Sequence, residues 1–390
     1  MSDNNSDIND TNNESNKPTL HLERGRNVDN YKEKCHQLCQ QYLGGVWLDT
    51  TVEDMKIRRL SGGLTNQIYY CGIDEKLSTT GDGVPHEVVV LYYQDKHFKE
   101  NERLSDTVIS VMMSDNNLGP KLCGVFPGGQ IQKFYKNKNF RVDQQNNPKL
   151  VNKLAKQLAR VHALDVPINR STDWMFDYFY GCYQKASQRF DLPALIDECQ
   201  CETLKLYDIK QELDWLKDVI TNSNIPVVFT HVDFRGSNIM ITEDEDIVVC
   251  DFEYCGYGYR GYDFGTIFVE WGKDFEVLGY DYGKFIGQVS NNTNFRPFIE
   301  SYFNEMVAIY GDKFAADPRN SVDAMLREAK LFSLIAYMFI IIYSLQLTES
   351  IVNGITTYDK KHEMKEGTDK LYKIYHEVKS KYLEDNVFQF

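Results

Sequence analysis

The chain lacks C-x-x-C cysteine pairs, an apolar leader and a surplus of basic residues, and each absence excludes something. Its nine cysteines (35, 39, 71, 123, 182, 199, 201, 250 and 255) leave one over in any disulfide framework, so reduced and mostly buried thiols are expected. Cys35, His36 and Cys39 share one helical turn but have no second ligand pair, which reads as packing rather than a metal site. Met1 leads into Ser, Asp and Asn, so no secretory signal is expected and a cytoplasmic location is. The greasiest run, Leu334 to Leu345, is too short to cross a bilayer; it reads as a core helix, with no stable membrane insertion. A net charge of -14 disfavours nucleic acid or an anionic membrane as the main partner and suits a cationic ligand.

What is present is enough for two lobes: 390 residues, of which 42% are hydrophobic. Residues 1 to 30, rich in Asn, Asp and Ser, read as a disordered tail. A helix is expected over Tyr31 to Leu43, stopped by Gly44-Gly45. Strands are expected over Met55 to Leu60, Gln67 to Ile73 and Glu87 to Tyr93, forming a small antiparallel sheet. Asp106 to Asn117 reads as a helix, and Leu122 to Phe126 with Gln130 to Phe134 as a hairpin around Pro127-Gly128-Gly129. The expected division is an N-terminal lobe over 31–135 and a larger, mainly helical lobe over 136–390. In that second lobe, Leu150 to Leu164 has helical spacing, and His162 near its end reads as a satisfied packing residue.

The sharpest signal is HVDFRGSNIM at 231–240 followed by VVCDFEY at 248–254. Phe229 before Asp233 and Ile239, Met240 and Ile241 after Asn238 place the polar residues on a turn between buried segments. A polar turn at Thr242 to Asp246 and the β-branched strand Ile247 to Cys250 then return Asp251 beside Asp233. Phosphoryl transfer from ATP needs a carboxylate to take the acceptor's proton, and an amide and a second carboxylate to hold Mg2+. Asp233, Asn238 and Asp251 supply those groups in kinase order. Ser61-Gly62-Gly63-Leu64-Thr65-Asn66, between the first two strands, would let backbone amides approach phosphates, although a Gly-Gly hairpin is more often only a turn.

The stretch CDFEYCGYGYRGYDFGTIFVEW at 250–271 resembles the signature of choline and ethanolamine kinases. LGGVW (43–47), RRLSGGLTNQIYYC (58–71), LGPKLCGVFPGGQIQKF (118–134) and LARVHALDVP (158–167) are similar to that family's segments in the same order. The resemblance implies an α+β, protein-kinase-like two-lobe fold that phosphorylates the hydroxyl of choline or ethanolamine with ATP and Mg2+. This would be the first step toward the corresponding phospholipids. It makes Asp233 the catalytic base, with Asn238 and Asp251 on the metal and Glu253 on a second metal or the substrate. The loop Ser61 to Asn66 would cover the phosphates, and Gln132 and Phe134 would lie in the hinge that grips the base. Tyr254, Phe275, Tyr337 and Tyr343, with Asp233, would meet the acceptor, since a quaternary ammonium is held by aromatic faces and carboxylates. His231, Arg260 and Asp263 would support the site, and a homodimer is a common arrangement in the family.

Several positions depart from the family pattern. Leu91 stands where an Arg usually contacts ATP phosphates, and Asp106 where the next helix usually carries Glu. Gln132 replaces a Glu, and Val232, Thr266 and Ile267 stand for Asn, Asn and His. The C-terminal helix at Phe332 to Leu347 carries Tyr337, Phe339 and Tyr343 where the family has two Trp. These departures leave open ethanolamine against choline, another small hydroxyl acceptor, and a non-catalytic member that binds nucleotide or metabolite.

Overall fold

Local sequence chemistry sets the first elements. In the computed structural model, which describes residues 29–60, 66–74, 83–93, 100–272, 295–346, 351–352, 355–356, 361 and 363–388, helix α1 spans Tyr31–Leu43 and ends at Gly44 with φ 66°. Residues 1–28 of the tail expected over 1–30, the loop Ser61 to Thr65 and Phe275 lie outside the described residues.

The described residues fall into two compact units. The first holds residues up to Tyr93 together with Gly124–Ile131. Its strands are β1 (Met55–Arg59), β2 (Gln67–Ile73) and β3 (Glu87–Tyr92). Alternation along β3 buries Val88, Val90 and Tyr92. Both β1 with β2 and β2 with β3 pair antiparallel, with Ile68 opposite Leu91. The sheet has five strands in the order β1-β2-β3-β5-β4, the last two being β4 (Leu122–Phe126) and β5 (Gly129–Lys133), joined by a turn with Gly128 at φ 89°.

The second unit takes residues 100–123 and those from Gln132 onward. Helix α2 (Glu100–Asp115), expected from the sequence with the first lobe, groups here, and its Ile109 and Met113 join this unit's core. After β6 (Asn137–Asn139) and the short α3 (Val142–Gln145) comes α4 (Pro148–His162). Pro148 opens α4 and the Asn147 side chain accepts from the Lys149 and Leu150 amides. Next come α5 (Trp174–Arg189), α6 (Leu192–Glu198), α7 (Glu202–Leu206) and α8 (Ile209–Asn222). The site segment consists of β7 (Val227–Thr230), β8 (Ile239–Thr242), β9 (Ile247–Val249), β10 (Gly256–Tyr259) and α9 (Gly261–Glu270). Helices α10 (Arg296–Tyr310), α11 (Asp312–Ala315), α12 (Val322–Gln346) and α13 (Lys370–Glu384) complete it.

Two antiparallel pairings carry the site. β8 lies between β6 and β9, with Ile239 opposite Val249, and β7 pairs with β10, with Thr230 opposite Gly256. The loops leaving β7 and β9 are therefore each anchored at a sheet.

The apolar run read as too short to cross a bilayer proves to be part of the 25-residue α12, which is long and apolar enough to do so by length and composition alone. It is a core helix nonetheless, with 72% of its most apolar window buried inside the protein. Its backbone touches α9: a Cβ added at Gly265 would sit 2.3 Å from the Phe332 carbonyl carbon, so only glycine permits this approach. Arg260, at the start of α9 and 1% exposed, is held on α12 by Glu328, through Nε to Oε2 at 3.0 Å and Nη2 to Oε1 at 2.5 Å. Its Nη1 donates to Asn320 Oδ1 at 2.7 Å, so this buried cation is both paired and hydrogen-bonded.

Candidate active site

The turn after β7 is built by one carboxylate. Asp263, fully buried on α9, accepts from the His231 amide at Oδ2 (2.7 Å) and from the Val232 amide at Oδ1 (2.7 Å). Val232 sits at φ 71°, a left-handed conformation in which a β-branched residue is strained by roughly 1–3 kcal/mol. Such a conformation persists only where the surroundings impose it, and the two bonds to Asp263 do so. The Asp233 amide then donates back to the His231 carbonyl at 2.9 Å, closing the turn on itself.

Asp233 and Asn238 touch directly. The Asn238 amide nitrogen donates to Asp233 Oδ2 at 2.7 Å and to its backbone carbonyl at 3.0 Å. Arg235 pairs with the other oxygen, Nε to Oδ1 at 2.9 Å. Between them Gly236 presses on the chain at Phe140, where an added Cβ would lie 2.3 Å from the carbonyl oxygen, and its amide donates to Glu270 Oε2 at 2.8 Å. The second acid arrives as the sequence pattern implies. The Cys250 amide donates to the Asn238 carbonyl at 2.9 Å, and the next residue, Asp251, is exposed with φ 69°.

Charge gathers here. Burial acts to lower the Arg235 pKa, but Asp233, Glu270 and Asp251 together raise it above the ordinary arginine value. Three carboxylates thus face one guanidinium, a surplus of negative charge that fits a divalent cation. No three His, Cys, Asp or Glu side chains among the described residues cluster closely enough to hold a metal by themselves. An Asp251 carboxylate and an Asn238 amide oxygen, completed by phosphate oxygens, are the hard-ligand set that Mg2+ takes.

An aromatic wall adjoins the acids. Burial, then Glu253, Tyr343, Asp233 and Asp251, pushes the Tyr254 hydroxyl pKa up, and burial with Cys182, Tyr254 and Tyr343 does the same at Tyr178. Tyr178 stacks on Phe339 with centroids 5.7 Å apart, and Phe339 on Tyr343 at 6.1 Å. Tyr254 and Tyr343, both expected from the sequence, therefore share this region, and Tyr178 and Phe339 join them. Tyr337 is placed elsewhere: it is 4% exposed, packed in the core, and its hydroxyl is raised by burial and by Tyr382. A signal for this was available. Phe339 and Tyr343 are four residues apart on α12 and share a face, whereas Tyr337 is six positions from Tyr343, about 240° around the helix.

The remaining expected residues are spread out. Gln132 and Phe134 are half-buried at and just beyond the end of β5 in the second unit, and Asn66 is half-buried in the first. Glu253 is half-buried between Asp251 and Tyr254. His231 is fully buried and its ring Nε2 donates to the Cys250 carbonyl at 3.0 Å. Leu91 lies on β3 in the first unit and Asp106 on α2 in the second.

Comparison with known proteins agrees with this geometry. The sequence profile of choline/ethanolamine kinase matches residues 57–375. Choline kinase A2 of Caenorhabditis elegans is 28% identical over 294 residues, covering 66% of this chain and 67% of that protein. The choline/ethanolamine kinase of Mus musculus is 29% identical over 248 residues, 63% of this chain and 62% of that protein, so the match spans less than two thirds of the mouse relative's length. The fold is that of a choline kinase from Cryptosporidium parvum, with a TM-score of 0.67 at 15% identity over 91% of this chain and 97% of that one. The acid constellation, the aromatic wall and a family match reaching from β1 to α13 lead to one conclusion: the chain belongs to the choline/ethanolamine kinase family.

Proposed function

We propose that this chain transfers the γ-phosphate of ATP to the hydroxyl of choline or ethanolamine, giving the phospho-amino alcohol that begins phosphatidylcholine or phosphatidylethanolamine synthesis. The observation that carries the reading is Asp233, fixed between Asn238 and Arg235 and adjoining a wall of tyrosines. Asp233 accepts the proton of the acceptor hydroxyl as its oxygen bonds to phosphorus and the bond to the β-γ bridging oxygen breaks. Asn238 and Asp251 would hold Mg2+, with Glu253 two positions beyond Asp251 in the chain. When bound, the metal screens the phosphate charge. The ATP roles that the family resemblance implies fall to Gln132 and Phe134 for the base and to Ser61 to Asn66 for the phosphates, of which Ser61 to Thr65 lie outside the described residues.

The cationic head of the acceptor lies against Tyr254, Tyr343 and Tyr178; Phe275, which the family resemblance adds to this set, lies outside the described residues. Tyrosine faces attract an ammonium, and the carboxylates add to that pull. The setting is the cytoplasm, and a homodimer is the assembly that family membership suggests. Release of ADP by purified protein with Mg-ATP and choline, ethanolamine or no acceptor tests the reading. Acceptor-dependent turnover supports it, and tight Mg-ATP binding without such turnover points instead to a non-catalytic binder.

A further inference from the structure

Between Ile225 and Trp271, the stretch that carries the acids of the site, the only Lys or Arg residues are Arg235 and Arg260. Arg260 is spent, buried on Glu328 and Asn320. Arg235 is not. Its Nε is buried and lies 2.9 Å from Asp233 Oδ1 as an ion pair, whereas Nη1 and Nη2 have no hydrogen-bond or ion-pair partner among the described residues. The side chain as a whole keeps 41% exposure, so anchorage at Nε leaves the outer fork of the guanidinium open to a ligand. Three carboxylates act on this one charge: Asp233, then Glu270, which also accepts from the Gly236 amide at 2.8 Å, and Asp251. The family's usual phosphate-contacting Arg is replaced by Leu91, on β3 in the first unit, while this cation stands on the turn of Asp233 in the second.

We propose that Arg235 is a catalytic residue whose outer fork binds the γ-phosphoryl group of ATP, supplying the positive charge that Leu91 does not. This rests on the kinase reading above. A planar guanidinium meets phosphate oxygens bidentately, which neither leucine nor a point charge can do. As the acceptor oxygen bonds to phosphorus and the β-γ bridging oxygen departs, negative charge spreads over the peripheral oxygens of the moving group, and a cation fixed there lowers the barrier. The Nε contact does the fixing: it holds Arg235 beside Asp233, so the group that takes the proton and the group that takes the phosphate charge share one turn. Three carboxylates repel an incoming triphosphate, and Arg235 is the protein charge on this segment that opposes them.

Two measurements test this on the full chain. In calorimetric titrations, Arg235→Gln should weaken Mg-ATP binding about tenfold and leave Mg-ADP binding within about twofold, because only the γ-phosphate loses a partner. With choline or ethanolamine as acceptor, the same variant should lose kcat by about 10²-fold or more, while KM for the acceptor stays within about twofold. Arg235→Lys returns the charge without the fork and should show both losses in smaller measure. A fall in kcat with the preference for ATP over ADP intact would make Arg235 a support for Asp233 and overturn the proposal. Equal weakening of both nucleotides, or constants unchanged throughout, would overturn it too. Binding is read without turnover, so an inactive wild type whose preference for ATP is lost in Arg235→Gln would sink the kinase reading and leave the phosphate contact standing. If Arg235→Gln does not fold, Arg235→Lys decides.

Discussion

The ring of His231 donates from Nε2 to the carbonyl of Cys250 at 3.0 Å, joining the turn that carries Asp233 to the strand end that delivers Asp251. A second link runs alongside it, from the Cys250 amide to the Asn238 carbonyl at 2.9 Å. The turn of Asp233 and the strand end of Asp251 are therefore fastened through one residue, Cys250. Its thiol is pushed up to about 12 by burial, then by Asp251 and Asp233, so it stays protonated and contributes shape rather than chemistry.

Asp233→Asn keeps the shape of the side chain and removes the proton acceptor. Turnover in coupled ADP release should fall by about 10²–10⁴-fold. The melting temperature should hold or rise slightly, because one of three crowded carboxylates is neutralised. A fall in activity matched by a fall in melting temperature would point to lost folding instead.

Tyr343→Ala and Tyr178→Ala should each raise KM for the amino alcohol, by roughly 2- to 30-fold from a cation-π contribution of about 0.5–2 kcal/mol, with KM for ATP unchanged. Tyr337→Phe should leave both constants alone, since that ring lies in the core beside Tyr382. Initial rates at varied acceptor concentration separate the three variants.

Glu328→Gln strands the buried Arg260 guanidinium. Loss of one partner from such a pair costs about 3–5 kcal/mol, and an unfolding free energy lowered by that amount, read as a lower urea midpoint at unchanged slope, is expected. Replacing Arg260 and Glu328 together with methionine should recover most of the difference, because no uncompensated charge then remains.

Stability should fall in acid through His376, which stacks on Tyr207 with centroids 3.7 Å apart. Burial lowers its pKa to about 4 from an ordinary 6.5; Glu212 opposes that shift and Lys379 adds to it. Between those values the unfolded chain binds the proton and the folded one does not. The contribution is thus whole above pH 6.5 and is lost as pH drops toward 4. Urea titrations across that window should show a shallower decline for His376→Gln than for wild type.

Much of the molecule could be read in advance where the controlling physics is local. α1 and β2 begin and end where apolar periodicity and glycine stops place them, and the turn bearing Asp233 and Asn238 lies between buried strands as alternation implies. Local signals gave out where contacts span the chain. Tyr178 lies on α5, far from the signature, and nothing in its neighbourhood marks it as a partner of Phe339. His162 looked like a packed residue because its partners, Asp263 and Tyr302, are 101 and 140 positions away. The grouping of α2 with the second unit likewise depends on burial of Ile109 and Met113, which periodicity alone assigns to no particular lobe.

The left-handed turn at Val232 also bears on how the site comes into being. Its two restraining bonds come from a residue 31 and 32 positions further along the chain, so a nascent or partly melted segment around Asp233 would relax into an ordinary extended conformation. The acidic constellation is therefore a late product of folding. A fragment carrying HVDFRGSN alone should have no memory of it, and site geometry and global cooperativity should be lost in a single transition.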